Sequence, residues 1–345
     1  MYLSVVMPVR NEAEHIAASL DRLLAQRYES GKLEILIVDG MSEDATPKIV
    51  QEYVQKHPDI IRYFANPKWL SSAARNVAIQ NAKGEAILIV DGHCFPDNEN
   101  MLQCVDEAFA KSGADCLGRP IVMHEMKGAP LTQWAIATVR ESPLGHHPDS
   151  FMYSHQAQFS PASSTAIAYR MSIFEKVGLF DETFDAAEDV EMNTRIDAAG
   201  LTCYFDPAIV IRYEPRKTWS GIRAQMGRYG RGRVQLWRKH PHTASWKSFA
   251  PGVFFFGLGV IFLCGTLEFA LNGFAFRLPP FTSSIFFSIL GFYFAVLVAE
   301  SARLAYKQKR WDIFPLLPLA FFCVHEGYAH GILREFFFPK RVSRD

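Results

Sequence analysis

The sequence predicts an α/β fold with a mainly parallel sheet, followed by a C-terminal helical membrane domain. Strand-like and helix-like runs alternate between residues 3 and 90. The run Ala86–Val90 is apolar throughout, as in strands buried on both faces of a parallel sheet. Charged and apolar segments alternate up to about residue 215, whereas Phe, Leu, Ile, Gly and Val dominate from 249 onward.

The elements follow in order. Leu3–Met7 reads as a strand, and Glu12–Gln26 as a helix with Ile16, Leu20, Leu23 and Leu24 at helical spacing. Leu33–Val38 is a second strand. Thr46-Pro47 opens a helix, with Thr46 as N-cap and Pro47 at the first helical position. Ile60–Phe64 is a short strand, Ser71–Asn81 a helix and Ala86–Val90 a strand. FSPASSTAIAY, 159–169, reads as a loop and a strand, and Arg170–Val177 as a helix. Helical spacing resumes through Met192, Ile196 and Leu201, which puts Glu188 and Asp189 in a first helical turn.

The chain has 345 residues, room for one large domain and more. Lys and Arg number 36, as do Asp and Glu, so no global field points to nucleic acid. Cysteines 94, 104, 116, 203, 264 and 323 contain no CxxC pair and read as reduced thiols. MYLSVVMPVRNE starts on a strand without a signal peptide's basic and apolar regions, so the first domain is expected in the cytoplasm.

Ligands of such sheets sit beyond the carboxyl ends of the strands. Three of those ends carry Glu12, Asp39 and Asp91. Singly, each acid also reads as a turn residue or helix cap. No GxGxxG follows the first strand and no GxxxxGK[ST] occurs, which leaves dinucleotide and P-loop sites unsupported. A diphosphate bound here would need positive charge from elsewhere. A divalent cation held by Asp91 and His93, two residues apart and facing the same way in extended backbone, would supply it. Magnesium prefers oxygen ligands while manganese accepts imidazole, so His93 favours manganese. Glu188 and Asp189 read either as acids complementing a helix dipole or as a general base for an attacking hydroxyl.

VVMPVRNE, VDGMSEDAT, SSAARN, VDGH, AEDVEMNTR and QMGRY, in that order, resemble the glycosyltransferase family 2 enzymes of GT-A fold. The likeness is greatest to membrane-attached members that build bacterial exopolysaccharides, such as the succinoglycan-type glucosyltransferases. It covers residues 1 to about 240. The resemblance implies that Pro8, Glu12 and Asp39 contact the nucleotide base and ribose, with Arg75 near the nucleotide. It places Asp91 and His93 at the metal motif, His93 standing where a second Asp is usual, and Asp189 at the base position. Gln225, Arg228 and Tyr229 match a motif that closes over the diphosphate, with Tyr229 in place of Trp.

Residues 216–248 interleave Arg223, Arg228, Arg231, Arg233, Arg238, Lys239 and Lys247 with Trp219, Trp237 and Trp246. The apolar segments that follow favour a membrane interface over single-stranded nucleic acid. Pro251–Phe274 and Phe281–Ala299 are each close to the ~20 residues that span a bilayer. Arg303, Lys307, Lys309 and Arg310 then place the following loop in the cytoplasm. Ile313–Val324 is short for a span, and a re-entrant or interfacial helix fits better than a third crossing. His325, Glu326 and His330 are not a zinc HExxH, because the histidines lie about 140° apart around a helix.

The expected organisation is a GT-A domain over 1–215, interfacial helices over 216–248 and a membrane domain over 249–338. The expected function is inverting transfer of a hexose, glucose by preference, from a UDP-sugar to a hydroxyl of a lipid-linked saccharide. It would take place at the cytoplasmic membrane in surface polysaccharide synthesis, with a divalent cation (Mn²⁺ or Mg²⁺). Two alternatives stand beside it: a polyprenyl phosphate as acceptor, and a non-catalytic nucleotide-sugar-binding protein.

Overall fold

The computed structural model describes residues 1–29, 31–123, 128–145, 151, 154–272 and 280–339, without the side chains of 123, 264–272 and 280–285. The strands are β1 (Leu3–Val9), β2 (Leu33–Asp39), β3 (Ile61–Ala65), β4 (Ala86–Ile89), β5 (Cys94–Pro96), β6 (Cys116–Gly118), β7 (Val122–Met123), β8 (Gln158–Phe159), β9 (Ala166–Arg170), β10 (Cys203–Phe205) and β11 (Ile211–Tyr213). The helices are α1 (Ile16–Leu24), α2 (Thr46–Lys56), α3 (Ser71–Asn81), α4 (Met101–Ser112), α5 (Leu131–Arg140), α6 (Ala162–Thr165), α7 (Ser172–Val177), α8 (Glu188–Ala198), α9 (Trp219–Lys239), α10 (Trp246–Asn272), α11 (Pro280–Gln308) and α12 (Leu317–Phe337). They divide into one unit of 1–125 and 149–214 and a second of 126–148 and 215–345.

In the first unit eight strands form one sheet in the order β3-β2-β1-β4-β9-β6-β10-β8. β3, β2, β1 and β4 run parallel, and β9 enters antiparallel to both β4 and β6. Leu3, Val5, Met7, Ile35, Ile37 and Leu88 bury one face against α1 and α4; Val6, Leu36, Val38, Ile87 and Ile89 bury the other against α3 and α8. Burial on both faces explains the nearly continuous apolar runs of these central strands. A second sheet, β5-β11-β7, pairs Ile211–Tyr213 with Cys94–Pro96 just after the end of β4.

Local chemistry adjusts four boundaries. Thr46 is the first residue of α2 rather than its cap; Ala45 holds the cap position, and the Thr46 hydroxyl accepts the Glu12 N–H at 2.8 Å. The Asp44 carboxylate accepts the Ala13 N–H, and with residues 12 and 13 bound to side chains of the next loop, α1 starts only at Ile16. Arg170 ends β9 instead of opening α7, and the four-residue α6 interrupts the stretch before it.

The second unit is helical. Trp246–Leu263, Phe286–Gln308 and Phe314–Phe337 are each long and apolar enough to cross a membrane. The apolar segment starting at Ile313 passes through a 3-10 turn, Phe314–Leu316, into α12, which runs to Phe337. Val253, Phe256, Phe262 and Leu263 of α10, and Phe287, Phe292 and Val298 of α11, point outward. The end of the span expected to reach Phe274 and the basic residues Lys340, Arg341 and Arg344 lie outside the described residues.

Candidate active site

Glu12, Asp39 and Asp91 come together because β2, β1 and β4 are adjacent and parallel, so their carboxyl ends open on one edge. The backbone there is strained. Asn11 (φ 55°), Met41 (φ 57°) and Trp69 (φ 64°) follow β1, β2 and β3, and Ala187 (φ 63°) precedes α8. Positive φ costs a residue with a side chain free energy, and such positions gather at binding sites.

Pro8 lies within β1, fully inside the sheet. Asp39 is buried and accepts hydrogen bonds from the Ser42 N–H at 3.1 Å and the Tyr63 hydroxyl at 3.2 Å. Burial, with the Asp39 charge beside it, pushes the Tyr63 hydroxyl up to about 12, so it stays a donor through the neutral range. Trp69 is 58% exposed, with the Arg10 guanidinium 5.3 Å above its ring. A cation over an indole makes a flat platform at the mouth of the site.

Asp91 and His93 leave β4 half-exposed, at 39% and 33% of their side-chain surface. Gly92 between them is crowded: a Cβ there would stand 2.9 Å from Val9 Cγ1 and 3.0 Å from Glu12 Cγ. His93 Nδ1 lies 2.8 Å from Glu12 Oε1. An imidazole that donates Nδ1–H to a carboxylate presents Nε2 as its electron pair, the arrangement by which acids orient metal-binding histidines. Ligand atoms of Asp91, His93 and Cys94 lie within 4.8 Å of one another. Burial raises the Cys94 thiol to about 12, while Asp91 and His93 offer an oxygen and a nitrogen with open surface. One oxygen and one imidazole, open on one side, suit a hard or borderline divalent ion such as Mn²⁺ or Mg²⁺ that keeps ligands from its substrate.

Arg75 joins this group to α8. Its buried guanidinium places Nη1 2.9 Å from Glu188 Oε1 and Nη2 3.7 Å from Asp91 Oδ1. The Phe180 ring lies 5.3 Å from it. Burial works against its charge, yet the nearby Glu188, Asp91 and Asp189 carboxylates prevail and raise its pKa. The Glu188 carboxyl moves upward, because burial and Asp189 outweigh Arg75. The Nη1 approach is close without the alignment of a hydrogen bond, and the Arg75 Nε has no partner.

Asp189 differs from its neighbour. It is exposed, and one carboxylate oxygen accepts the N–H of Val190 at 2.8 Å. Asn76 of α3 clamps the chain leading to this helix through Phe180 N–H and O, both at 2.9 Å, and Glu182 at 2.9 Å. Farther along α8, Glu191 holds Arg195, which donates to the Leu179 carbonyl at 2.8 Å, and Asn193 accepts from the Tyr169 hydroxyl at 2.9 Å. The helix start is therefore anchored on both sides.

Some of this was not foreseen from the sequence. The Glu12–His93 pair, Tyr63, Trp69 with Arg10, and Cys94 were not singled out. Neither was Arg119, a half-buried arginine near Asp91 that donates to the Ile211 carbonyl at 3.0 Å and whose buried Nε lacks a partner. Gln225, Arg228 and Tyr229 belong to the second unit, on α9, where Gln225 Nε2 approaches the Tyr229 hydroxyl at 3.4 Å.

Known proteins resemble this chain in sequence and fold. A chain of Methanococcus voltae, a dolichyl N-acetyl-alpha-D-glucosaminyl phosphate 3-beta-D-2,3-diacetamido-2,3-dideoxy-beta-D-glucuronosyltransferase, is 24% identical over 96% of both chains. The succinoglycan biosynthesis protein ExoA of Rhizobium meliloti is 28% identical over 68% of this chain and 70% of its own. The fold matches that of a mannosyltransferase from Pyrobaculum calidifontis, solved with GDP-Man and Mn²⁺, at a TM-score of 0.61 and 19% identity, covering 99% of this chain and 88% of that one. The model of glycosyl transferase family 2 matches residues 4–178, just over half of the chain and every strand end described above. The chain therefore belongs to glycosyltransferase family 2, with a GT-A fold, and acts in glycan synthesis.

Proposed function

We propose that the protein is an inverting hexosyltransferase that uses a UDP-sugar and delivers the sugar to a hydroxyl of a lipid-linked saccharide. The observation that carries the reading is the unequal pair at the start of α8. Glu188 is buried against Arg75, while Asp189 is exposed and adjacent to it. Asp189 accepts the proton of the acceptor hydroxyl, whose oxygen attacks the anomeric carbon as the bond to the diphosphate breaks on the opposite face. Glu188 is a positioning residue that keeps Arg75 between itself and Asp91. Asp91 and His93 would hold the divalent cation, with Glu12 fixing the imidazole; bound there, the ion supplies positive charge toward the leaving diphosphate. Asp39 and Pro8, at neighbouring strand ends, are assigned to the nucleoside. Gln225, Arg228 and Tyr229 are assigned to the diphosphate on the resemblance of QMGRY alone.

The name of the archaeal relative specifies a lipid-phosphate-linked sugar as acceptor, which supports a lipid-linked saccharide here. The same name specifies a uronosyl donor, so glucose rests on the likeness to exopolysaccharide enzymes. The deciding experiment incubates the full-length protein in lipid with a panel of nucleotide sugars and lipid-linked acceptors, following release of nucleoside diphosphate. UDP release that depends on acceptor, stops in EDTA and returns with Mn²⁺ is expected. Full turnover in chelator, or turnover only with GDP-sugars, overturns the assignment.

A further inference from the structure

Three helices of the second unit could each cross a bilayer, but their packing is not alike. In the most apolar 18 residues of Trp246–Leu263 and Phe286–Gln308 only 11% and 17% are buried, against 50% in those of Phe314–Phe337. α10 and α11 show apolar side chains to their surroundings, as lipid-facing helices do; α12 hides half of its own.

What covers α12 is a charged helix. α9 carries Arg223, Arg228, Arg231, Arg233, Arg238 and Lys239 and no acid. Glu326 of α12 pairs with Arg223 at 2.7 Å, and Glu335 with Arg238 at 3.1 Å. Between these ties the backbones touch. A Cβ on Gly331 would stand 2.1 Å from the Gly227 carbonyl oxygen, and one on Gly230 would stand 2.2 Å from that of Tyr328. Six cations cannot follow α12 into hydrocarbon without heavy cost, so the helix they hold stays with them at the polar boundary.

The crossing of α10 gives the orientation. Consecutive residues Phe255 and Phe256 reach Phe322 and Phe337, each with ring centroids 5.9 Å apart. Those two partners are fifteen positions apart on α12, about 22 Å along its axis. Between them, Gly252 abuts Ile332, where a Cβ would lie 3.1 Å from its Cγ2. α10 thus passes across α12 and not alongside it. If α10 runs through the bilayer, α12 lies along its surface.

The end of α12 suits that position. Phe336, Phe337 and Phe338 are 52%, 53% and 77% exposed. Beside them a cavity of about 160 Å³ is lined by Arg231, Arg334, Glu335 and Phe338, and Glu335 is already answered by Arg238. Exposed rings next to guanidinium groups complement an apolar boundary under phosphate headgroups.

We propose that α12 is an in-plane helix and not a third crossing: α10 and α11 form a two-span hairpin, and α9 with α12 makes a platform on one side, seated on anionic lipid through Phe336–Phe338, Arg231 and Arg334. The proposal does not depend on which sugar is transferred.

The test reads topology first. The full-length chain, tagged at either terminus, is placed in oriented membrane vesicles and exposed to an impermeant protease. Both tags should be cut, or protected, together; tags on opposite sides overturn the two-span hairpin. Depth is read next, by Phe338→Cys in a chain whose native cysteines are replaced, carrying a fluorophore in vesicles of phosphatidylcholine with phosphatidylglycerol. A quencher near the headgroup should dim the label more than one at the acyl end, with loss of this quenching in the Arg231→Gln/Arg334→Gln chain. Stronger quenching from the acyl end, or none from either, refutes the surface position. Quenching unchanged in pure phosphatidylcholine refutes the anionic-lipid contact.

Discussion

In the first unit apolar side chains turn inward on both faces of a sheet, and charge gathers at strand ends around an open edge. In the second, apolar side chains of α10 and α11 turn outward, and the charge of α9 is drawn against α12. Both follow one rule: side chains match the medium they meet, water in one unit and an apolar phase in the other. The contrast bears on where charge is proposed to serve chemistry. At the end of β4 Asp91 and His93 keep open surface, as does Asp189 at the start of α8. On α12 the carboxylates of Glu326 and Glu335 are spent on arginines, which fits holding and not reacting.

The largest effect should come from Asp189, the exposed acid at the start of α8. Asp189→Asn keeps the shape but removes the proton-accepting charge, and a positioned base contributes ~10²–10⁴-fold. Turnover onto a sugar hydroxyl should fall by about that factor with UDP affinity little changed. A polyprenyl phosphate acceptor carries its own charge and should be far less affected, so the same variant separates the two acceptors. Near-wild-type turnover on a hydroxyl acceptor would remove Asp189 from the mechanism.

The buried partner should behave differently. Arg75→Met leaves Glu188 buried without its cation, a change that costs roughly 3–5 kcal/mol. The thermal midpoint for loss of nucleotide binding should drop sharply in that chain. Adding Glu188→Gln should restore much of the loss, since both charges are then gone. Glu188→Gln alone should lower turnover less than Asp189→Asn does. An equal loss from both would mean that the base role is shared.

In the second unit the matching perturbation is steric. Gly331→Leu forces a side chain into the Gly227 backbone, and overpacking costs typically ~1–3 kcal/mol. The helical unit should unfold earlier in detergent while the sheet of the first unit stays folded, with UDP affinity lowered by the loss of Gln225, Arg228 and Tyr229. Loss of both together would show that the two units do not melt independently.

Most of the sheet was legible because long strands buried on both faces leave a long apolar signature, and β1, β2, β4 and α3 fall within two residues of expectation. The three-residue strands β5, β6, β10 and β11 were not, since so short a run has no readable period and Cys94–Pro96 meets its partner more than a hundred residues later. The acids at strand ends were legible as a set. Their distinct situations were not: sequence puts Glu188 and Asp189 side by side, and only the approach of Arg75 from α3 tells the buried carboxylate from the exposed one. Likewise Glu12 and His93 are remote in sequence and meet because β1 and β4 are neighbours. α12 was hard to read because Glu326 and Glu335 break its apolar run, and the arginines that neutralise them lie about a hundred positions earlier.

The smallest expected effect concerns Tyr63, and its sign can be worked out. Its hydroxyl donates to Asp39 at 3.2 Å, while Ser42 holds the same carboxylate independently. Tyr63→Phe therefore should not unseat Asp39, and at neutral pH should cost about the ~0.5–1.5 kcal/mol of one ordinary hydrogen bond. Alkaline behaviour isolates the residue further. The folded hydroxyl holds its proton up to about 12, against 10.0 for an ordinary tyrosine, because of burial and the Asp39 charge. An acid whose folded pKa is raised gives a contribution complete below the unfolded value and lost as pH rises through the folded one. Between pH 10 and 12 the wild-type chain should thus lose stability more steeply than Tyr63→Phe, which has no proton to release there. Other raised tyrosines, such as Tyr28 and Tyr53, are common to both chains and cancel in the difference. Parallel curves for the two chains through that window would mean that Asp39 does not feel Tyr63, and that its carboxylate is held by Ser42 without help from Tyr63.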